Sequence, residues 1–291
     1  MAENQTRDIR PSPIAGLWYP GDPEVLRQVL EEDLRQAKSP LISGAVKALI
    51  LPHAGLVYSG KTAACALKAI EGKKFRRVII VSPSHEGYPG HIITTEHSAY
   101  QTPLGLVPVD QPALQKLGGM LATEGVRLLP VRRDREHSIE IELPFLQHLL
   151  PEGFELIPLM LMDQSLTLAK ILSGALATLI ESFSKDEAAL LIASSDLSHF
   201  HHQRQANRLD QNLIKGLENF EPEAFYRLKS GRDAEACGHG AIASILLAAQ
   251  KLGANQLVVT DYRTSGDVSG DLGSVVGYVS AVITAGEEER Q

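Results

Sequence analysis

The stretch Val46-Lys47-Ala48-Leu49-Ile50-Leu51-Pro52-His53-Ala54-Gly55 decides how the rest of the chain is read. A mostly apolar, branched run leads into a proline that biases Leu51 to extended backbone. A histidine and a turn-forming glycine follow. This is the pattern of a buried strand with a ligand-type side chain at its tip. It recurs where Arg77–Val81 runs into Ser82-Pro83-Ser84-His85, and where Ala189–Ala193 runs into Ser194-Ser195-Asp196-Leu197-Ser198-His199. In an open α/β sheet, ligands bind beyond the carboxyl ends of the strands, so polar tips on three strands are expected to converge. A fourth stretch, Ala236-Cys237-Gly238-His239-Gly240, opens an apolar helix. The positive end of that helix is expected to favour a Cys237 thiolate.

Outward from these runs, helix and strand patterns alternate, which predicts an α/β fold. Helices are expected over Glu24–Ala37, over Lys61–Glu71 with Ser59 as cap, and over Gln111–Leu117. Further helices are expected from Pro144 onward and over Leu166–Phe183, Arg204–Leu217, Pro222–Leu228 and Gly238–Leu252. Additional strands are expected at Ile92–Thr95, Gly105–Val109, Phe154–Leu161, Gln256–Asp261 and Ser274–Thr284, with a long turn over 265–271. Ile139, Ile141 and Leu143 alternate with Glu140 and Glu142, and the start of the helix that follows them is ambiguous. There is no repeat or linker, so residues 1–291 read as one domain, with 1–9 and 286–291 as tails.

Composition narrows the function classes. With 44% hydrophobic and 22% charged residues in 291, the chain can bury a core without disulfides or a structural metal. A net charge of −7 and the lack of a long basic run argue against nucleic acid and anionic membranes as partners. The short cluster Arg132, Arg133, Asp134, Arg135, Glu136 reads as a solvated loop. Only Cys65 and Cys237 are present, which suits a reducing compartment, and Cys65 reads as core. Met1 to Arg10 lacks the apolar core of a signal peptide, and no apolar stretch is long enough to span a membrane, so a cytoplasmic location is expected.

Each candidate residue has a plain alternative. His53 and His85 can each be a loop histidine bonded to a carbonyl, but two at equivalent strand ends favour a metal role. Cys237 can be a small buried cysteine. Asp196 is placed to orient a ligand histidine through its ring, and His199 to bind substrate or move protons. His201 and His202 read as exposed. In Glu136-His137-Ser138-Ile139-Glu140, His137 and Glu140 are paired as acid/base and orienter. There is no Gly-x-Ser-x-Gly elbow, no phosphate-binding Walker loop and no dinucleotide fingerprint.

Several motifs together resemble the Memo family, also called AmmeMemoRadiSam system protein B in bacteria and archaea. They are Gly16-Leu17-Trp18-Tyr19-Pro20, Pro52-His53-Ala54-Gly55 with Tyr58-Ser59-Gly60, Ser82-Pro83-Ser84-His85, Glu136-His137-Ser138-Ile139-Glu140, Ser194-Ser195-Asp196 with His199, and Cys237-Gly238. The resemblance spans roughly Arg10 to Thr284. It implies one α/β domain, with a central mixed sheet flanked by helices on both faces, similar to class III extradiol dioxygenases. It also implies a metal on His53, His85 and Cys237, with Asp196, His199 and His137 beside it. Iron or copper is the expected ion and zinc the next option. The family's animal member is linked to redox chemistry and phosphopeptide-dependent signalling. Microbial members are associated with a radical-SAM protein and an AMMECR-type protein.

Two features depart from the reference patterns. The ring-opening enzymes use a carboxylate where Cys237 stands here, so ring cleavage does not follow from the fold. Many relatives carry a proline after the Cys-Gly pair, where this chain has His239. The leading expectation is a metal-dependent oxidoreductase acting on an unidentified small molecule or peptide. The alternatives are a phosphopeptide- or protein-binding module using the same cleft and a metal-dependent hydrolase.

Overall fold

The computed structural model describes residues 8–38, 41–184, 187–230 and 233–286. In chain order its elements begin with β1 (Ile9–Arg10), α1 (Pro23–Gln36), β2 (Ala45–Leu51), α2 (Leu56–Leu67), β3 (Arg77–Pro83), β4 (Ile92–Thr95), β5 (Ala99–Thr102) and β6 (Gly105–Pro108). Then come α3 (Gln111–Thr123), β7 (Leu128–Val131), α4 (Leu143–Leu149), β8 (Glu155–Leu161), α5 (Leu166–Glu181), β9 (Ala189–Ser194) and β10 (His199–His201). The chain closes with α6 (Gln203–Glu218), α7 (Pro222–Ser230), α8 (His239–Lys251), β11 (Gln256–Thr264), α9 (Gly266–Ser269) and β12 (Val275–Ala285).

The main sheet runs β10-β12-β2-β9-β3-β8-β4-β7, with β11 paired to β12. Its centre, β2-β9-β3-β8, is parallel, and β12 and β4 join it antiparallel. Successive strand residues point to opposite faces, yet Ala48–Leu51, Val78–Val81 and Leu190–Ala193 are all fully buried. Both faces are therefore covered, as a parallel sheet requires. Helices α2 and α8 pack directly on the central strands, and α5 packs on α8. One hydrophobic core runs through these layers. The mixed α/β architecture expected from the sequence is the one observed.

Local differences have local causes. Helix α2 starts at Leu56, not Lys61, because the Pro52–Gly55 turn already reverses the chain and the Leu56 N–H donates to Trp18 O at 2.9 Å. Ser59 lies inside the helix and donates to Ala54 O at 2.8 Å instead of capping. The strands β5 and β10 are short and carry no apolar run, and in β7 a proline interrupts the apolar residues, so none of the three has a clear strand pattern. The edge strand β7 even contains Pro130, which a sheet tolerates at an edge. The Ile139–Leu143 alternation is a 3₁₀ turn over Glu140–Glu142 that leads into α4, with both glutamates buried. The 265–271 turn contains the one-turn helix α9.

Residues 1–7 and 287–291 of the expected tails lie outside the described residues, whereas Ile9 sits in β1 beside β5. Among the described residues no helix is long and apolar enough to cross a membrane.

Candidate metal centre

The strand order β2-β9-β3 brings three carboxyl ends side by side. His53 follows β2, Asp196 follows β9 and His85 follows β3. Cys237 stands just before α8, which packs on all three strands. Its backbone N–H donates to Asp196 O at 3.2 Å, and the Gly238 N–H donates to Ser195 Oγ at 2.9 Å. These bonds pin the head of α8 to the tip of β9. Gly238 allows the approach: a Cβ there would lie 2.5 Å from Ser194 O.

One potential ligand atom from each of His53, His85 and Cys237 lies within 4.8 Å of the others. Cys237 Sγ is 3.2 Å from His53 Nε2 and accepts the Asp196 N–H at 3.2 Å. Both imidazoles are held from behind. His53 Nδ1 is 2.9 Å from Ser194 Oγ, and the His53 N–H donates to Asp196 Oδ1 at 2.8 Å. His85 Nδ1 is 2.9 Å from Glu136 Oε1, and the His85 N–H donates to Glu136 Oε2 at 2.6 Å. Each Nδ1 is thereby occupied and each Nε2 is left for a ligand role. His53 is buried, Cys237 is intermediate and His85 is at the solvent side. His137 stacks on His85 with ring centroids 4.6 Å apart, and Trp18 covers His137 at 4.2 Å.

Burial, with His137 and His85 adding to it, pushes His53 well below the ordinary histidine range. Burial and His85 push His137 down to about 4. At His85 burial also opposes the charge, but the Glu136 hydrogen bond and charge outweigh it and the net shift is upward. Burial raises Glu136, yet His85 and backbone N–H donors hold it well below the usual carboxylate range. Burial pushes Asp196 up to about 7. Burial, then the nearby Asp196, pushes the Cys237 thiol far above its usual range. Burial thus opposes the thiolate that the helix end was expected to favour. Helix α8 starts at His239, so Cys237 stands outside the first turn, and desolvation dominates. A coordinating cation reverses this, because a metal-bound thiol is deprotonated.

All the residues singled out for metal, His53, His85 and Cys237, are brought together, and His137 and Asp196 adjoin them. His199 lies on β10, lowered chiefly by burial and also by the charge of His85. Three role expectations need correction. Asp196 does not hold a histidine ring; it accepts the His53 backbone N–H, while Ser194 and Glu136 hold the rings. Glu140 does not face the cleft: it pairs with Arg10 Nη1 at 2.5 Å and accepts from Tyr19 Oη at 2.7 Å. The 132–136 loop is not simply solvated. Its arginines point outward, while Asp134 and Glu136 are buried, Asp134 paired with Arg10 at 2.7 Å.

His201 is partly buried against Glu235 at 2.9 Å, and exposed His202 caps α6. His239 occupies the first position of α8, where a proline also fits, and packs near Tyr226 at 5.6 Å. Glu136, Ser194, Glu142 and Trp18 were not given a role by the sequence reading. The one signal available for Glu136 was its place beside His137.

The fold and the site together define an α/β protein with a candidate two-histidine, one-cysteine metal centre at the strand tips. The Memo-like protein family model matches residues 10–282. A MEMO1 family protein of Nitrosopumilus maritimus is 35% identical over 93% of this chain and 98% of its own length. Those of Saccharolobus solfataricus and Thermotoga maritima are 33% and 34% identical, over 92% and 93% of this chain and 96% and 98% of their own lengths. The chain belongs to the Memo family. An uncharacterized protein from Escherichia coli K12 shares the fold, with a TM-score of 0.55 at 15% identity, over 82% of this chain and 100% of that one.

Proposed function

We propose that the chain is a metal-dependent oxidoreductase whose iron or copper ion is held by His53, His85 and Cys237, with zinc as the next option. The observation that carries this is the meeting of those three ligand atoms within 4.8 Å. Two imidazoles and a thiolate suit iron, copper and zinc and do not suit magnesium or calcium. When bound, the ion supplies electron transfer to or from a small-molecule substrate. The chain's own groups do the rest. Glu136 and Ser194 fix the two rings, and the Asp196 N–H steadies the sulfur.

His137 is neutral at neutral pH because burial holds it at about 4, with its Nδ1 3.5 Å from Glu136 Oε1, and a neutral imidazole has one ring nitrogen free to take a proton. Asp196, at about 7, holds or releases a proton near physiological pH. Trp18 over His137 covers one side of this group. Because Cys237 stands where the ring-opening enzymes use a carboxylate, ring cleavage is not carried over from the fold.

The test is the metal content of protein purified without chelator. Wild type is expected to hold about one ion per chain, as a three-ligand site does, and His53→Ala and Cys237→Ala to lose it together with reductant-dependent oxygen consumption. Metal content unchanged in both variants contradicts the reading.

A further inference from the structure

The Ser194 hydroxyl faces Ser138 O at 2.6 Å, His53 Nδ1 at 2.9 Å and Glu142 Oε1 at 3.2 Å. A serine hydroxyl has one proton to donate and two lone pairs to accept with. Ser138 O is a carbonyl and only accepts. Two oxygens at 2.6 Å need a proton between them, and Ser194 is its only source. The other two neighbours must then both donate to Ser194 Oγ. For His53 this means that Nδ1 carries the proton and Nε2, 3.2 Å from Cys237 Sγ, carries the lone pair. For Glu142 it means that the carboxyl is protonated.

The surroundings of Glu142 agree. It is 1% exposed, and among the described residues no basic side chain offsets its charge. Burial, with Asp196 nearby, drives its carboxyl well above the usual range. A fully buried ionised carboxylate without a cation would cost several kcal/mol, by roughly the scale of desolvating one ion. The neutral acid avoids that and serves as a donor.

We propose that Glu142 is a neutral carboxylic acid at neutral pH and, with Ser194, a positioning pair that locks His53 in the Nδ1–H tautomer with Nε2 turned to Cys237. The pair meets the site through the His53 ring, at Nδ1. Its purpose rests on the metal-site reading, but its state is measurable in the metal-free protein.

The infrared difference between metal-free wild type and Glu142→Gln at pH 7 is expected to show the carbonyl band of a protonated acid, lost in the variant. Nitrogen-15 NMR of the same wild-type sample is expected to show the Nδ1–H tautomer at His53. A carboxylate band with no acid carbonyl, or an Nε2–H tautomer, overturns the proposal. Affinity for Fe²⁺ under argon, measured by chelator competition, supplies the second arm. Ser194→Ala is expected to weaken it about 10–100-fold, the usual cost of losing a partner behind a ligand histidine. Glu142→Gln, whose amide also donates to Ser194, is expected to leave it at the wild-type value. A loss in Glu142→Gln as large as in Ser194→Ala overturns the neutral-acid role. If wild type takes up no Fe²⁺, the proposed function fails, while the infrared and NMR results still decide the state of Glu142 and His53.

Discussion

At Glu136 a single carboxylate accepts from the His85 ring, from the His85 N–H, and from the His137 and Ser138 N–H groups at 3.0 Å. It acts as the turn's organiser and as the electrostatic partner of His85. The two shifts act in opposite pH ranges. Glu136 is depressed, so its stabilising contribution is present above the ordinary value of 4.5 and drains as pH falls below it. His85 is raised, so its contribution is complete below the ordinary 6.5 and drains as pH rises through the raised value. Urea titrations of metal-free wild type and Glu136→Gln are expected to differ most between about pH 4.5 and 6.5, with the gap narrowing on both sides. A gap independent of pH would show that the pair carries no charge in the folded chain. This residue was hard to find in the sequence. Arg132, Arg133 and Arg135 make the segment look solvated, and its acids turn inward to partners distant in sequence: Asp134 to Arg10, 124 positions away, and Glu136 to His85.

At the level of elements, the junction of β9 with α8 sets where Cys237 stands. Gly238 lets the helix head touch the strand tip, and a Cβ there would meet Ser194 O at 2.5 Å and Ser195 Cβ at 2.8 Å. Gly238→Ala is expected to destabilise the protein by about 1–3 kcal/mol, the usual range for overpacking, and to move the sulfur away from His53. Gly174, inside α5, has nothing within 4 Å of an added Cβ. Gly174→Ala is therefore expected to stabilise by roughly 0.5–1 kcal/mol through helix propensity. Denaturation midpoints of the two variants check both signs, and destabilisation by Gly174→Ala would fault the packing description. Legibility follows the same physics. The central strands were readable because burial on both faces writes itself as a continuous apolar run. β5 and β10 were not, because their short pairings leave no such run, and in β7 Pro130 breaks the strand pattern of Leu128, Leu129 and Val131. The Ile139–Leu143 alternation left the start of α4 ambiguous because a 3₁₀ turn here buries glutamates as well as aliphatics, each held by tertiary partners.

For the molecule as a whole, the sheet order is what makes a site out of scattered residues. β2 and β3 are joined through α2 in sequence, yet β9 from the second half of the chain lies between them, and α8 arrives later still. His53, His85 and Cys237 were legible as candidates because proline, glycine and strand ends flank them. Their meeting was not written in any local pattern and depends on the crossover that inserts β9. The central claim is that this meeting point holds a metal ion. Anomalous diffraction from crystals loaded with Fe²⁺ under argon tests it most directly. The account predicts one strong peak at roughly 2.0–2.3 Å from His53 Nε2, His85 Nε2 and Cys237 Sγ, distances typical of nitrogen and sulfur ligands. A peak elsewhere on the protein, or none near these three atoms in a loaded crystal, would contradict it.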